Sequence, residues 1–508
     1  MKKIINELLN ETYYKCVLPN GLSVMLFPKP LIKRSYAMLT VKYGSIHQEF
    51  TFEGSDEVII TPPGVAHFLE HKMFEMPNGV DASNLFAELG ADVNAYTSHE
   101  NTSYYFSTVM NFEKSLELLL DFVQTPCFVE ESVESEKLII EQEIMSSLDK
   151  PSSVCYHGIL NNLYKKNKVV DDIGGTKESI QEINKDILQM CYNTFYHPSN
   201  MILVVAGNFD LDKTLELIKD NQANKDFIPY LYPKVIHYYE SSKVNKEYDS
   251  VTMDVNMSSV SVGLKLDLHE KTPQEILKIA ILFDFILEEL FDYSSENYQK
   301  WLREHIIDYT FSFNFSLCKT HAYITLDGQA FDPNVFIDVM RKELLNIPIY
   351  SFIEERFYNF IRSHIAFQIR KFNSVEAIAT SLNDEAIAGL VAHLRRTEEV
   401  VGFHVFERVL RPVQDGGLAA FLLGLEEAVE VQLEVLGQFR QGLHTQLRRA
   451  GLPRLVGVDL LVHRAHGVYV AGLVDASGVD GFHAVELQRH RVDRGLQVAE
   501  VLAHVLVL

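Results

Sequence analysis

One feature limits the fold more than any other: a long succession of elements occurs twice. In "SYAMLTVKYGS", Ala37, Leu39, Val41 and Tyr43 fall on one side, the period-2 sign of a half-buried strand. A helix follows, then "LFAELGADVNAYTSHENTSYYFSTVM" reads as helix end, Gly90 stop, strand, turn and strand. "FEKSLELLLDFV" and "EESVESEKLIIEQEIMSSLDKP" read as helices, the second halted before Pro151. Near residue 247 a similar series begins with the strand "VSVGLKL" and the helix "KTPQEILKIAILFDFILEELF". "WLREHIIDYTFSFNFSLCKTHAYITLDG" repeats the helix-end, strand, turn, strand order, and two further helices complete the parallel. The offset, roughly 215 residues, is longer than any solenoid period, so two copies of one α+β domain are expected. Each should hold an antiparallel-rich sheet with helices packed on one face. Upstream, "CVLPNGLSVMLF" reads as two strands around Asn20-Gly21, a pair suited to a type I′ hairpin turn. "YHPSNMILVVAGNFD" reads as a buried strand, and a polar stretch near residues 220–245 as a linker. The expected domains are residues 1–235, 245–385 and a remainder.

That remainder differs in kind. The last lysine is Lys371, the last asparagine Asn383 and the last isoleucine Ile387, while twelve of eighteen arginines follow Glu385. Such a step tracks codon base composition, not structural role, so residues 386–508 are expected to be foreign to the domains before them. A third, arginine-rich domain is the alternative.

The formal charge of −23 argues against a general nucleic-acid binder, which needs a basic footprint. The amino-terminal "MKKIINELLNETYYKC" has acids at Glu7 and Glu11 and no sustained apolar core, so a secretory signal is not expected. No segment approaches the roughly 18 continuous apolar residues of a membrane span. Cys16, Cys127, Cys155, Cys191 and Cys318 are odd in number, dispersed and never C-x-x-C, which points to reduced thiols and a cytoplasmic setting.

Only the first copy carries "GVAHFLEHKMFEMPNG", residues 64–79, with His67-x-x-Glu70-His71. Helical positions i and i+4 share a face, so His67 and His71 can present nitrogens to one metal ion. Glu70 adjoins that face and can hold a water. Catalytic zinc takes three protein ligands and an open fourth position, where bound water drops to a pKa of about 7. Val65, Ala66, Phe68 and Leu69 make the helix mostly buried, where two imidazoles and a carboxylate need a reason. The third ligand is missing from the stretch. Residues 130–150 offer Glu130, Glu131, Glu134, Glu136, Glu141 and Glu143. Glu136 and Glu143, seven apart, share a face, and Glu141 points away from them. Helical geometry does not choose which face meets the histidines.

Across about residues 13–385 the chain resembles the inverzincins, metalloproteases of the pitrilysin, insulysin and mitochondrial-processing-peptidase group, marked by H-x-x-E-H. The resemblance runs through "LPNGLSVML", "YGS", "GVAHFLEHKMF", "LFAELGADVNAYTSHENTSYYF", "EKLIIEQEIMSSLDKP" and "YHPSNMILVVAGNFD". It is greatest to short bacterial members with two homologous domains per polypeptide. If residues 386–508 are foreign, the second copy is expected to be incomplete relative to the proteins it resembles, its sheet left with an unpaired edge. The resemblance implies that His67 and His71 bind Zn2+, that Glu70 is the general base and that Glu143 is the third ligand. Glu136 matches a carboxylate that supports the site. Asn94, Ala95 and Tyr96 match an edge strand on which substrate lies as an added strand. Arg303 and Tyr309, in "LREHIIDYTFS", stand where the family's second domain supplies groups to the substrate or tetrahedral intermediate, although the lead-in departs from the family's Gly-Leu-x-Tyr.

The implied activity is a zinc endopeptidase acting on peptides or small unfolded polypeptides. Family members enclose substrate in a chamber of four such domains. This chain would therefore need a partner, as a homodimer or as a heterodimer with a related subunit lacking the zinc motif. Two alternatives are a non-catalytic subunit of a peptidase assembly and a protease that matures one ribosomally made peptide.

Overall fold

The computed structural model describes residues 1–6, 10–77, 79–240, 243–267, 271, 273–318, 320–347, 354–387, 463–465 and 468–470. The chain opens with β1 (Lys2–Asn6), β2 (Glu11–Val17), β3 (Ser23–Pro28), β4 (Ser35–Val41), β5 (Glu49–Phe52) and β6 (Ile59–Ile60). Next come α1 (Val65–Met73), α2 (Ala82–Leu89), β7 (Ala91–Thr97) and β8 (Thr102–Thr108). Helices α3 (Phe112–Gln124), α4 (Glu130–Leu148), α5 (Pro151–Leu163), α6 (Lys177–Glu182) and α7 (Lys185–Phe195) follow. The first copy ends with β9 (Met201–Gly207), α8 (Leu211–Ala223) and β10 (Pro233–Val235). The second copy holds β11 (Ser258–Leu266), α9 (Pro273–Phe291), α10 (Glu296–Arg303), β12 (Ser312–Leu317) and β13 (Ala322–Ala330). It continues with α11 (Pro333–Asn346), α12 (Glu354–Lys371) and α13 (Val375–Ile387). Beyond these, β14 (His463–Ala465) pairs antiparallel with β15 (Val468–Val470). The expectation about residues 386–508 otherwise lies outside the described residues.

The fold is α+β, as expected. Its large sheet runs β1-β2-β3-β9-β4-β8-β7. All its pairings are antiparallel except β3 with β9, where Ser23 faces Ile202. The second copy forms an antiparallel sheet β11-β13-β12, and Phe283 of α9 packs on Phe315 of β12 with ring centroids 5.4 Å apart.

Strand β4 corrects one expectation. All seven of its residues are buried, not every second one. Ala37, Leu39 and Val41 face a core shared with α1, α3 and α7, on the side expected to be apolar. Tyr36 and Met38 face a second core with Met25, Phe27, Ile202 and Val204, closed by Val375, Ile378, Ala379 and Leu382 of α13. These four recur at the spacing of one helical stripe. Helix α13 thus covers the sheet face opposite the other helices. For the same reason the central strand β9 is buried throughout.

Two connections also differ. The loop after β2 is not a type I′ turn. The Gly21 amide donates to Leu18 O, so Pro19 and Asn20 are its central residues, and only Gly21 takes a positive φ, +94°. That is the longer turn-and-bulge hairpin, in which Pro19 presets the first central φ. A Cβ on Gly21 would lie 2.1 Å from Ser199 Oγ, a second reason for glycine. The stretch 220–245 is only partly a linker, because Pro233–Val235 pairs with Glu49–Phe52.

Candidate metal centre

Helix α1 begins at Gly64, whose φ is +93°. A Cβ there would sit 2.6 Å from Gly174 O, so glycine lets the helix start against the loop before α6. Val65, Ala66, Phe68, Leu69 and Met73 bury one side of α1 in the core. His67, Glu70 and His71 are left on the half-buried side, as their i, i+3, i+4 spacing requires. Lys72 is 2% exposed, and its ammonium bonds Glu75 Oε2 and Ser132 Oγ, tying α1 to α4.

Helix α4 settles which carboxylate face meets the histidines. Glu143 Oε2 stands 3.8 Å from His67 Nε2 and 3.6 Å from His71 Nε2. Glu136 Oε1 lies 3.0 Å from His71 Nδ1. A carboxylate can only accept here, so Nδ1 carries the proton and the Nε2 lone pair is left toward Glu143. Glu141 points elsewhere and pairs with Lys177. One nitrogen from each of His67 and His71 and one oxygen of Glu143 lie within 4.8 Å of one another. Tetrahedral zinc with bonds of about 2.0–2.1 Å spaces its ligand atoms about 3.3 Å apart, so this donor set fits the ion with small adjustments.

The electrostatics of the two histidines differ. Burial and the neighbouring His71 push His67 down to about 4, which keeps it a neutral lone-pair donor. Burial also disfavours charge on His71, but the Glu136 hydrogen bond and the nearby carboxylates outweigh it and raise its pKa. Burial raises the pKa of Glu70, partly offset by Thr97 Oγ1, which donates to Glu70 Oε2 at 2.6 Å. Thr97 escaped the reading of the sequence, although it directly follows Tyr96. The Glu143 side chain is 57% exposed, so the site opens to solvent.

Asn94, Ala95 and Tyr96 lie on β7, which among the described residues pairs only with β8 and forms one edge of the large sheet. Val93 and Ala95 pack toward the helical core, while Tyr96 faces the core closed by α13. Arg303 ends α10 and is exposed, and Tyr309 is 84% exposed. No described contact joins either to His67, Glu70, His71 or Glu143. His305, between them, holds a left-handed φ of +56° just past the helix end.

Residues 24–177 match the family Insulinase (Peptidase family M16), and residues 182–358 match the Peptidase M16 inactive domain. The chain is 39% identical over 345 residues to the uncharacterized zinc protease YmfH of Bacillus subtilis (strain 168), covering 68% of this chain and 80% of that protein. An uncharacterized zinc protease of Rickettsia felis is 30% identical over 255 residues, which span 48% of this chain and 58% of that one. An M16-like peptidase of Alicyclobacillus acidocaldarius superposes with a TM-score of 0.70 at 33% identity, covering 77% of this chain and 94% of that one. A protease of Helicobacter pylori shares the fold, with a TM-score of 0.63 at 19% identity over 77% of this chain and 95% of its own. Among the described residues no helix is long and apolar enough to cross a membrane, and all five cysteines are unpaired. Sequence and architecture together show that the chain belongs to peptidase family M16.

Proposed function

We propose that this chain is a zinc-dependent endopeptidase hydrolysing peptides or small unfolded polypeptides at His67, Glu70, His71 and Glu143. One observation carries the reading: two imidazole nitrogens and a carboxylate oxygen converge within 4.8 Å on the helix face that also bears Glu70. His67, His71 and Glu143 would hold the zinc ion. Bound there, zinc would polarise the scissile carbonyl and acidify a water. Glu70 takes that water's proton and returns it to the leaving amine, a transfer suited to a carboxylate whose affinity for protons burial has raised. Thr97 holds the Glu70 carboxylate in place. The free edge of β7 at Asn94, Ala95 and Tyr96 receives the substrate as an added strand. The unpaired cysteines support a cytoplasmic setting.

The exposure of Arg303 and Tyr309, away from these groups, favours a second reading in which activity depends on a partner. There the two residues serve the substrate of an assembled homodimer or heterodimer. The test uses the wild-type full chain and Glu70→Gln, assayed for zinc content and for cleavage of a quenched peptide pool. Expected are stoichiometric zinc in both and chelator-sensitive cleavage in the wild type alone. A folded wild type without zinc overturns the site. Zinc without cleavage selects the partner-dependent reading.

A further inference from the structure

The two histidines of the centre are held differently. His71 Nδ1 has Glu136 at 3.0 Å, whereas His67 Nδ1 is buried and has no hydrogen-bond partner among the described residues. A ligating imidazole is ordinarily oriented through its second nitrogen, which fixes the tautomer and raises the basicity of the first. The Asp172 carboxylate lies in the same neighbourhood, outside hydrogen-bond reach of this atom. A methyl built on Gly174 would stand 3.5 Å from Asp172 Oδ1 and 3.7 Å from His67 Nδ1, so both atoms flank the space over that glycine.

Asp172 is itself held from two sides. Its Oδ1 accepts the Gly174 amide at 2.8 Å, and its Oδ2 faces His157 Nε2 at 2.8 Å. Burial alone would raise the Asp172 pKa, but the His157 bond and charge, with the Gly174 amide, outweigh it and keep the group ionised. His157 rides on α5, which packs against the second sheet through Leu160 and Leu163 beside Tyr323. Asp172 and His67 also attract each other: each favours the charged form of the other.

We propose that Asp172, anchored by His157, is the positioning carboxylate of His67, the counterpart of Glu136 at His71. With Nδ1–H directed to Asp172, the Nε2 lone pair of His67 is left toward Glu143. This role rests on the reading of His67 as a zinc ligand. Glycine at 174 is part of the arrangement, since a side chain there would touch both the carboxylate and the ring.

The test measures zinc affinity of the metal-stripped full chain by competition with a chromophoric chelator. Wild type, Asp172→Asn and Gly174→Ala are compared, with the melting temperature of each metal-free protein as the check on folding. Both variants should bind zinc 10- to 100-fold more weakly than wild type, the usual cost of losing such a partner. The visible absorption of bound cobalt should shift in Asp172→Asn, reporting an altered ligand field that a purely structural role would leave alone. The methyl of Gly174→Ala meets only ordinary van der Waals contacts, so it decides the matter if Asp172→Asn fails to fold. Wild-type affinity and an unchanged cobalt spectrum in the folded variants overturn the inference alone. A folded wild type that binds no zinc overturns it together with the metal-centre reading.

Discussion

Glu136 illustrates how much a site can depend on a residue one step from its centre. Its oxygen fixes the His71 tautomer without being one of the converging donors. Glu136→Gln keeps an acceptor but loses the charge, and Glu136→Ala loses both. Zinc affinity should fall about 10-fold in the first and about 100-fold in the second, read by chelator competition. Glu141→Ala should leave zinc binding unchanged, because Glu141 faces Lys177. Glu136, Glu141 and Glu143 look alike in the sequence. Their spacing paired Glu136 with Glu143, but not with the histidines, because a helix encodes its own faces and not the neighbour each one meets. His157 and Asp172 carried no signal at all: their value arises from α5 and the loop before α6 meeting near α1.

Among the elements, α13 contributes more to the first copy than its place in the chain suggests. Val375, Ile378, Ala379 and Leu382 close the core over β3, β4 and β9. Ser374 Oγ accepts the Ala377 amide at 3.1 Å to start the helix, and Glu376 pairs with Arg34 at 3.1 Å. Ile378→Ala should therefore destabilise the chain by about 2–5 kcal/mol, seen as a lower denaturant midpoint, although the residue lies some 170 positions beyond β9. Helix α13 escaped the reading of the sequence, and so did the surface it covers, which is why β4 read as half-buried when both of its faces are covered.

At the scale of the whole molecule, corresponding turns of the two copies touch. The His99 ring, after β7, meets His321, before β13, edge to face at 5.8 Å. His321 is 5% exposed, and its Nδ1 lies 3.1 Å from Thr320 Oγ1. Burial and the adjacent His99 lower its pKa from 6.5 to about 3. The unfolded chain therefore binds the extra proton first. This contribution to stability is fully present above about pH 6.5 and declines as the pH falls toward about 3, by at most about 1.4 kcal/mol per unit. His321→Gln should flatten that part of the slope, measured as urea midpoints across the window. The sequence by itself determined the duplicated α+β plan, the helix bearing His67, Glu70 and His71, and the strand carrying Asn94 to Tyr96. Such features depend on local periodicity and on residue types a few positions apart. Only the tertiary structure decided how far Glu143 and Glu136 stand from the two imidazoles, what covers β4, and that Arg303 and Tyr309 lie exposed. Those outcomes depend on long-range packing, where elements distant in the chain compete for the same apolar surface and the same buried charge.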